Sequence, residues 1–288
     1  MTHASTGSRP TTHFARLSRL KANALGSLDR IGAQTRFYFV TLARIPDVLI
    51  NYRPELLRLI AQMGLGSGAL AAVGGTVVIV GFMTMTTGAV VAAQGYTQFQ
   101  SVGVQAFTGF ASAFFIPRLI VPGTAQVTLT ATVGAGATAQ MGAMRINEEV
   151  DALEVIGIRT ITYLAATRVL AGTIVVIPLY AVALMTGFLA ARFGTTAIYG
   201  QATGVYDHYF DTFLNTRDLV VSFVQTIAMI VVVMLVCTYY GYTAGGGPAG
   251  VGEAVGRAVR ASMVVGALVL VAVTLAVYGQ SGNFHLAG

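Results

Sequence analysis

From Arg58 to Arg145 the chain carries one charged side chain, Arg118. A soluble domain cannot be built on such a stretch, because its surface needs about a quarter of its residues charged. Over the whole chain 10% are charged and 55% are hydrophobic. In hydrocarbon every backbone N–H and C=O must be satisfied within the fold, which leaves helices or closed barrels. The uncharged runs exceed the length of about 20 residues that a helix needs to cross a bilayer. The fold class expected is therefore an all-α integral membrane protein.

The net charge of +6 is placed unevenly. Residues 1 to 58 hold Arg9, Arg16, Arg19, Lys21, Arg30, Arg36, Arg44, Arg53 and Arg58 against Asp29, Asp47 and Glu55, and nine minus three is the whole excess of six. A basic flank beside an apolar span reads as cytoplasmic and attracted to anionic lipid. No basic face recurs later, so nucleic acid is not expected as a partner. Residues 36 to 60 are apolar only in short pieces and are expected flat in the cytoplasmic interface, with their arginines reaching headgroups. Residues 1 to 58 thus form a basic tail and interfacial helix, and 59 to 288 the transmembrane domain. The first 35 residues hold no apolar core of the length a secretory signal requires. Gly64, Gly68 and Ala72 repeat at a spacing that permits close helix contact. Cys237, the one cysteine, lies in an apolar run and is expected to act as a small buried hydrophobe.

Apolar stretches fall at Leu59 to Ala93 and at about 101 to 117, 121 to 143, 169 to 191, 219 to 241 and 261 to 278. Charge assigns the basic loops 145 to 168 and 242 to 260 to the cytoplasm. The uncharged loop 94 to 100 falls outside, as does 192 to 218 with Asp207, Asp211 and Asp218 against Arg192 and Arg217. Passing from an external residue 95 to a cytoplasmic residue 145 takes an odd number of crossings, yet two apolar pieces lie between. One of them, 101 to 117, is expected to be re-entrant or to lie at the external face. The expectation is five spans, with the N-terminus cytoplasmic and the C-terminus external.

Glu148, Glu149, Asp151 and Glu154 arrive within seven positions after the long uncharged stretch. Asn147 is read as the N-cap, the first-turn acids suit the helix dipole, and Gly157 suits the position after the C-cap. Ile146, Val150, Leu153 and Gly157 share one face, while Glu148, Asp151, Glu154 and Val155 share another. Such a helix can sit in a partner's groove or be a solvated loop helix with no partner. No His lies nearby and the acids point around the helix, so neither catalysis nor a metal site is expected. Glu253 and Arg257 have the spacing of a helical ion pair, and with Arg260 they are a candidate second cytoplasmic contact. The aromatic stretch 194 to 218 is read as an interfacial belt or as a contact for an external partner. A chain that hydrolysed ATP itself would need a phosphate-cradling loop ending in Gly-Lys-Ser/Thr. Lys21, the only lysine, follows Leu20 and precedes Ala22, so hydrolysis must lie on another chain.

GATAQMGAMRINEEVDALEVIGI resembles the MlaE/YrbE permease family, and TYYGYTAGGGPAGVGEAVGRAV, residues 238 to 259, resembles the YrbE proteins of actinobacterial Mce lipid transporters. The resemblance covers about residues 50 to 280. It implies that residues 147 to 157 are a coupling helix docking on a cytoplasmic ABC ATPase, through Asn147, Glu148, Glu149, Val150, Asp151, Leu153, Glu154 and Gly157. It further implies an interfacial helix, five spans, the plasma (inner) membrane, and lipid import with Mce proteins on the external side. ATP and magnesium belong to the ATPase, with no cofactor in this chain. The family's Arg-Glu-Leu-Gly/Ala-Pro turn is here IPRLIVPGT, without an acid beside Arg118, which is similar to the B-type subunit paired with an A-type YrbE permease. Arg118 then either finds its counter-ion on that second permease or snorkels to the membrane edge. Two rival functions remain at this point: an ion-coupled secondary transporter and a non-transporting membrane scaffold.

Overall fold

The computed structural model describes residue 29 and residues 31–65 and 75–278. Among them there is no strand, and five helices are long and apolar enough to cross a membrane. Among the described residues three helices precede the spans: α1 (31–43), α2 (Ile45–Asn51) and α3 (Arg53–Leu65). The spans are α4 (Gly75–Ser101), α5 (Gln105–Ile146), α7 (Ile161–Ile198), α9 (Thr216–Tyr242) and α10 (Gly247–Tyr278). Short α6 (Glu149–Val155) joins α5 to α7, and α8 (Thr203–Phe213) joins α7 to α9. Helix α3 runs across the expected boundary at residue 58, and Gly68 and Ala72 lie outside the described residues.

From residue 105 onward the two apolar pieces 101–117 and 121–143 are not separate insertions but belong to one helical run, α5, residues 101–104 being the end of α4 and the turn after it. No reversal occurs between them, so the first piece is not re-entrant. Forty-two residues at about 1.5 Å each extend roughly 63 Å, twice a hydrocarbon core. The surplus, around 105–115, packs against α8. A Cβ on Gly109 would lie 2.4 Å from the Tyr206 carbonyl oxygen, and Phe110 meets Phe213 at 4.8 Å between ring centres.

Proline explains how α5 changes phase without stopping. Residues Ile116–Ile120 widen into a π-turn that holds Pro117, and Pro122 follows with no N–H to give. The Pro117 carbonyl instead accepts from the Ser222 hydroxyl on α9.

Small residues set the helix pairing, since lipid gives apolar faces no reason to associate. Spans α4 and α7 run parallel in backbone contact: a Cβ on Gly88 would meet the Gly187 oxygen at 2.4 Å, and the Thr84 and Thr186 hydroxyls are 2.6 Å apart. Spans α5 and α9 are also parallel, joined where Gly134 faces Cys237 and the Thr138 hydroxyl donates to the Cys237 carbonyl at 3.0 Å. Span α10 runs antiparallel to both. Gln126 on α5 donates to its Ser262 and Met263 carbonyls, and Gln225 on α9 donates to Leu270. Cys237 is buried and free, as its apolar run suggested.

This arrangement gives the bundle two ends. One gathers α1 to α3, α6 and the α9–α10 turn, and the other gathers α8 with the α4–α5 turn.

Candidate functional site

The acidic helix is shorter and differently capped than the sequence suggested. Asn147 is not its N-cap; it closes α5, donating its N–H to the Ala143 carbonyl at 3.1 Å. Glu148 then turns the chain with φ 61°, the one left-handed non-glycine backbone among the described residues, and α6 begins at Glu149. Two helices meeting within two residues need a left-handed step, and here that step overrides cap preference. Gly157 lies where expected, with φ 84°. The Ile158 N–H returns to the Leu153 carbonyl and the Gly157 N–H to the Glu154 carbonyl, each at 3.0 Å, the double bond of a Schellman ending.

The apolar face of α6 turns inward. Val150 is 1% exposed in a cluster with Phe37, Met141 and Leu164, and Leu153 packs against it. Both were assigned to the coupling contact; in the structure they anchor α6 to α1, α5 and α7, so a partner cannot reach Val150. Two of the four acids are also engaged within the chain. Asp151 pairs with Arg145 at 2.5 Å, and Glu154 accepts from Thr160 at 2.7 Å and Tyr242 at 3.3 Å. What α6 presents outward is Glu148 and Glu149 at one end and Val155 and Ile156 at the other. The last two are 87% and 71% exposed. That is a knob with an acidic side and an apolar tip on a helix whose back is fixed.

The sequence reading missed the brace beside this knob. Asp47 on α2 pairs with Arg44 at 3.1 Å and with Arg159, in the loop after α6, at 3.3 Å. Glu253 and Arg257 do form the local pair their spacing announced, at 3.1 Å, and Arg260 is exposed on the same helix. The α9–α10 turn needs its glycines. Gly246 and Gly247 have φ of 86° and 73°, and a Cβ on Gly250 would lie 1.8 Å from the Gly245 oxygen.

At the opposite end, the two expectations for Arg118 are both replaced. It pairs within the chain with Asp218 of α9 at 2.6 Å and lies over the Phe114 ring at 4.0 Å. The counter-ion lies 100 residues away in sequence, where charge counting had placed it in a solvated loop. Arg168, read as a loop residue, is instead buried in α7, donating to the Leu164 carbonyl at 3.0 Å. The aromatic stretch is largely internal packing: Tyr206 is buried against Phe210, which also meets Phe188. Burial pushes the Tyr206 phenol up to about 12, so it stays neutral. Arg192 holds the Asp207 carboxyl below the usual range through bonds of 2.8 and 2.7 Å. Among the described residues no group of His, Cys, Asp and Glu is arranged to hold a metal.

Residues 66–276 match the family described as Permease MlaE. A "Probable ABC transporter permease protein" of Rickettsia bellii is 27% identical over 256 residues, 85% of this chain and 92% of that protein. The Arabidopsis thaliana "Protein TRIGALACTOSYLDIACYLGLYCEROL 1, chloroplastic" is 25% identical over 58% of this chain and 48% of its own length. A Synechocystis "Probable ABC transporter permease protein slr1045" is 24% identical over 58% of this chain and 64% of its own.

Proposed function

Because this chain belongs to the MlaE permease family, we propose that it is the transmembrane subunit of an ABC-type lipid transporter, driven through the α6 knob by a separate ATPase. The observation that carries this reading is the pair Val155 and Ile156, left in the open on a helix whose own apolar face is already buried. A solvated loop helix has no use for two adjacent exposed aliphatic residues, whereas a groove on a partner supplies the burial they lack. Glu148 and Glu149 at the other end of α6 call for basic groups on the groove's rim. The knob sits at the end of the bundle that also holds the basic α1 to α3 region, which supports a cytoplasmic position for it, with the N-terminus on the same side and the C-terminus opposite.

The finer assignment is an Mce-type importer in the inner membrane. A second, A-type permease would complete the lipid pathway, and Mce proteins would deliver lipid from outside. It is supported by the resemblance of residues 238 to 259. The Arg118–Asp218 pair removes the earlier reason for seeking that second permease at Arg118. Exchanging Val155 and Ile156 together for Asp tests the coupling. The ATPase is expected to be lost from the purified complex and lipid movement to stop, while membrane insertion persists. Unchanged ATPase association and lipid movement would refute it.

A partly buried ion pair also suits an ion-coupled carrier, and Arg118–Asp218 is the observation that favours this second reading. On that reading, gradient-driven uptake persists after ATP depletion and disappears in Asp218→Asn.

A further inference from the structure

Glu154, Thr160 and Tyr242 close a three-membered network at the knob's base. The Glu154 carboxylate accepts from both hydroxyls, which are 3.0 Å from each other. Thr160 stands at the head of α7, and Tyr242 is the last residue of α9. The network therefore joins α6 directly to a span that follows it 60 residues later in sequence. It forms one wall of a cleft of about 420 Å³, also lined by Val40, Arg44 and Arg159.

Helix α6 does not need this network to be held. Val150 is in the core, Asp151 is tied to Arg145 on α5, and the Schellman bonds close its end. What the network adds, among the described residues, is a polar link from α6 to α9. The far end of α9 carries Asp218 against Arg118 and Ser222 against Pro117, where α5 changes phase. A helix transmits axial displacement over its length because its backbone bonds resist compression, and α9 is continuous over 27 residues.

We propose that Glu154, Thr160 and Tyr242 are a positioning latch that passes a displacement of the knob to the inner end of α9, and through α9 to its contacts with α5. This rests on the docking reading of the preceding subsection and adds which span receives the motion. These residues touch neither nucleotide nor lipid; they act through α9.

The test uses the full chain purified with its ATPase in proteoliposomes. Tyr242→Phe keeps the ring that packs at 5.5 Å against Phe37 and removes only the hydroxyl. Glu154→Met keeps side-chain length and removes the acceptor. Three quantities are read: ATPase association, ATP hydrolysis, and lipid moved per ATP hydrolysed. The latch predicts that association and hydrolysis remain near wild type in Tyr242→Phe while lipid moved per ATP falls about threefold, the scale of one ordinary hydrogen bond. Glu154→Met falls similarly, and the double variant is no worse than either single one. An unchanged ratio in Tyr242→Phe overturns the latch, as do losses that multiply in the double variant. Loss of the ATPase from Tyr242→Phe also overturns it, by making Tyr242 a docking residue. Absence of any ATPase from the wild-type complex is the separate failure of the docking reading.

Discussion

Replacing Gly88 by Ala adds one methyl group where two spans touch backbone to backbone. The new Cβ would lie 2.4 Å from the Gly187 carbonyl oxygen and 3.1 Å from its carbonyl carbon and Cα. A main-chain carbonyl in the middle of α7 cannot swing aside, so the helices must part by nearly 1 Å to restore van der Waals distance. Overpacking of this kind costs about 1–3 kcal/mol. The same separation stretches the Thr84–Thr186 hydroxyl pair beyond bonding range from its 2.6 Å, and interhelical bonds in membranes contribute about 0.6 kcal/mol. Against this, Ala exceeds Gly in helix propensity by about 1 kcal/mol. The net expectation is a loss of about 2 kcal/mol. Gly136→Ala on α5 is the matched control, since nothing lies within 4 Å of its added Cβ and propensity alone acts, raising stability. Cys237, buried and free, supplies the assay: a fluorogenic maleimide reacts with it only as the bundle opens on heating. Using about 2–4 °C per kcal/mol for a chain of this size, Gly88→Ala should melt roughly 4–8 °C lower. Gly136→Ala should melt slightly higher. A Gly88→Ala variant that melts with the wild type, or a Gly136→Ala variant equally lowered, would refute the close-packed crossing.

Three further outcomes follow from contacts in the structure. Asp218→Asn should lower the melting temperature well beyond Asp207→Asn. The first carboxylate is 9% exposed beside Arg118 and the second 38% exposed beside Arg192; breaking buried pairs costs about 3–5 kcal/mol and exposed ones about 0–1 kcal/mol. Gly266→Ala should destabilise despite better helix propensity, because its Cβ would lie 2.0 Å from the Gln126 amide nitrogen and displace its bonds to Ser262 and Met263, at a cost of about 1–2 kcal/mol. The Arg192–Asp207 tether should weaken only in acid. Asp207 titrates lower in the folded chain, so its contribution is complete above the unfolded carboxylate value of about 3.9 and fades as pH falls through the depressed folded value. The chain has no Trp, so Phe213→Trp against Phe110 gives a fluorescence report that should stay flat from pH 8 to about 5 and change below about 4. A transition near neutrality would contradict this assignment.

The membrane class and the five crossings were legible because both follow from where charge is missing, a property of the sequence alone. Parity of the loops also indicated that 101–117 was not a sixth crossing. Its merger with 121–143 was hidden because Pro117 and Pro122 read as breaks, and a π-turn with a hydroxyl donor on α9 is a tertiary solution to them. Arg118 was misread for a related reason: its carboxylate is near only after folding. On α6, periodicity separated the two faces, but the same apolar pattern serves burial in one's own bundle or in a partner. Val150 took the first role, and the exposed tip fell to Val155 and Ile156, which the apolar face did not include. Tyr242 carried no local signal, since its meaning comes from Glu154 lying 88 residues earlier.

The most direct test of the account places a photo-crosslinking residue at Ile156 in the intact membrane complex, with the same residue at Val102 at the other end of the bundle as control. Ile156 should be joined to the subunit that carries the nucleotide-binding Gly-Lys-Ser/Thr loop, and Val102 should not. Crosslinks from Ile156 confined to lipid, or labelling of Ile156 by a membrane-impermeant reagent from the external side, would contradict it.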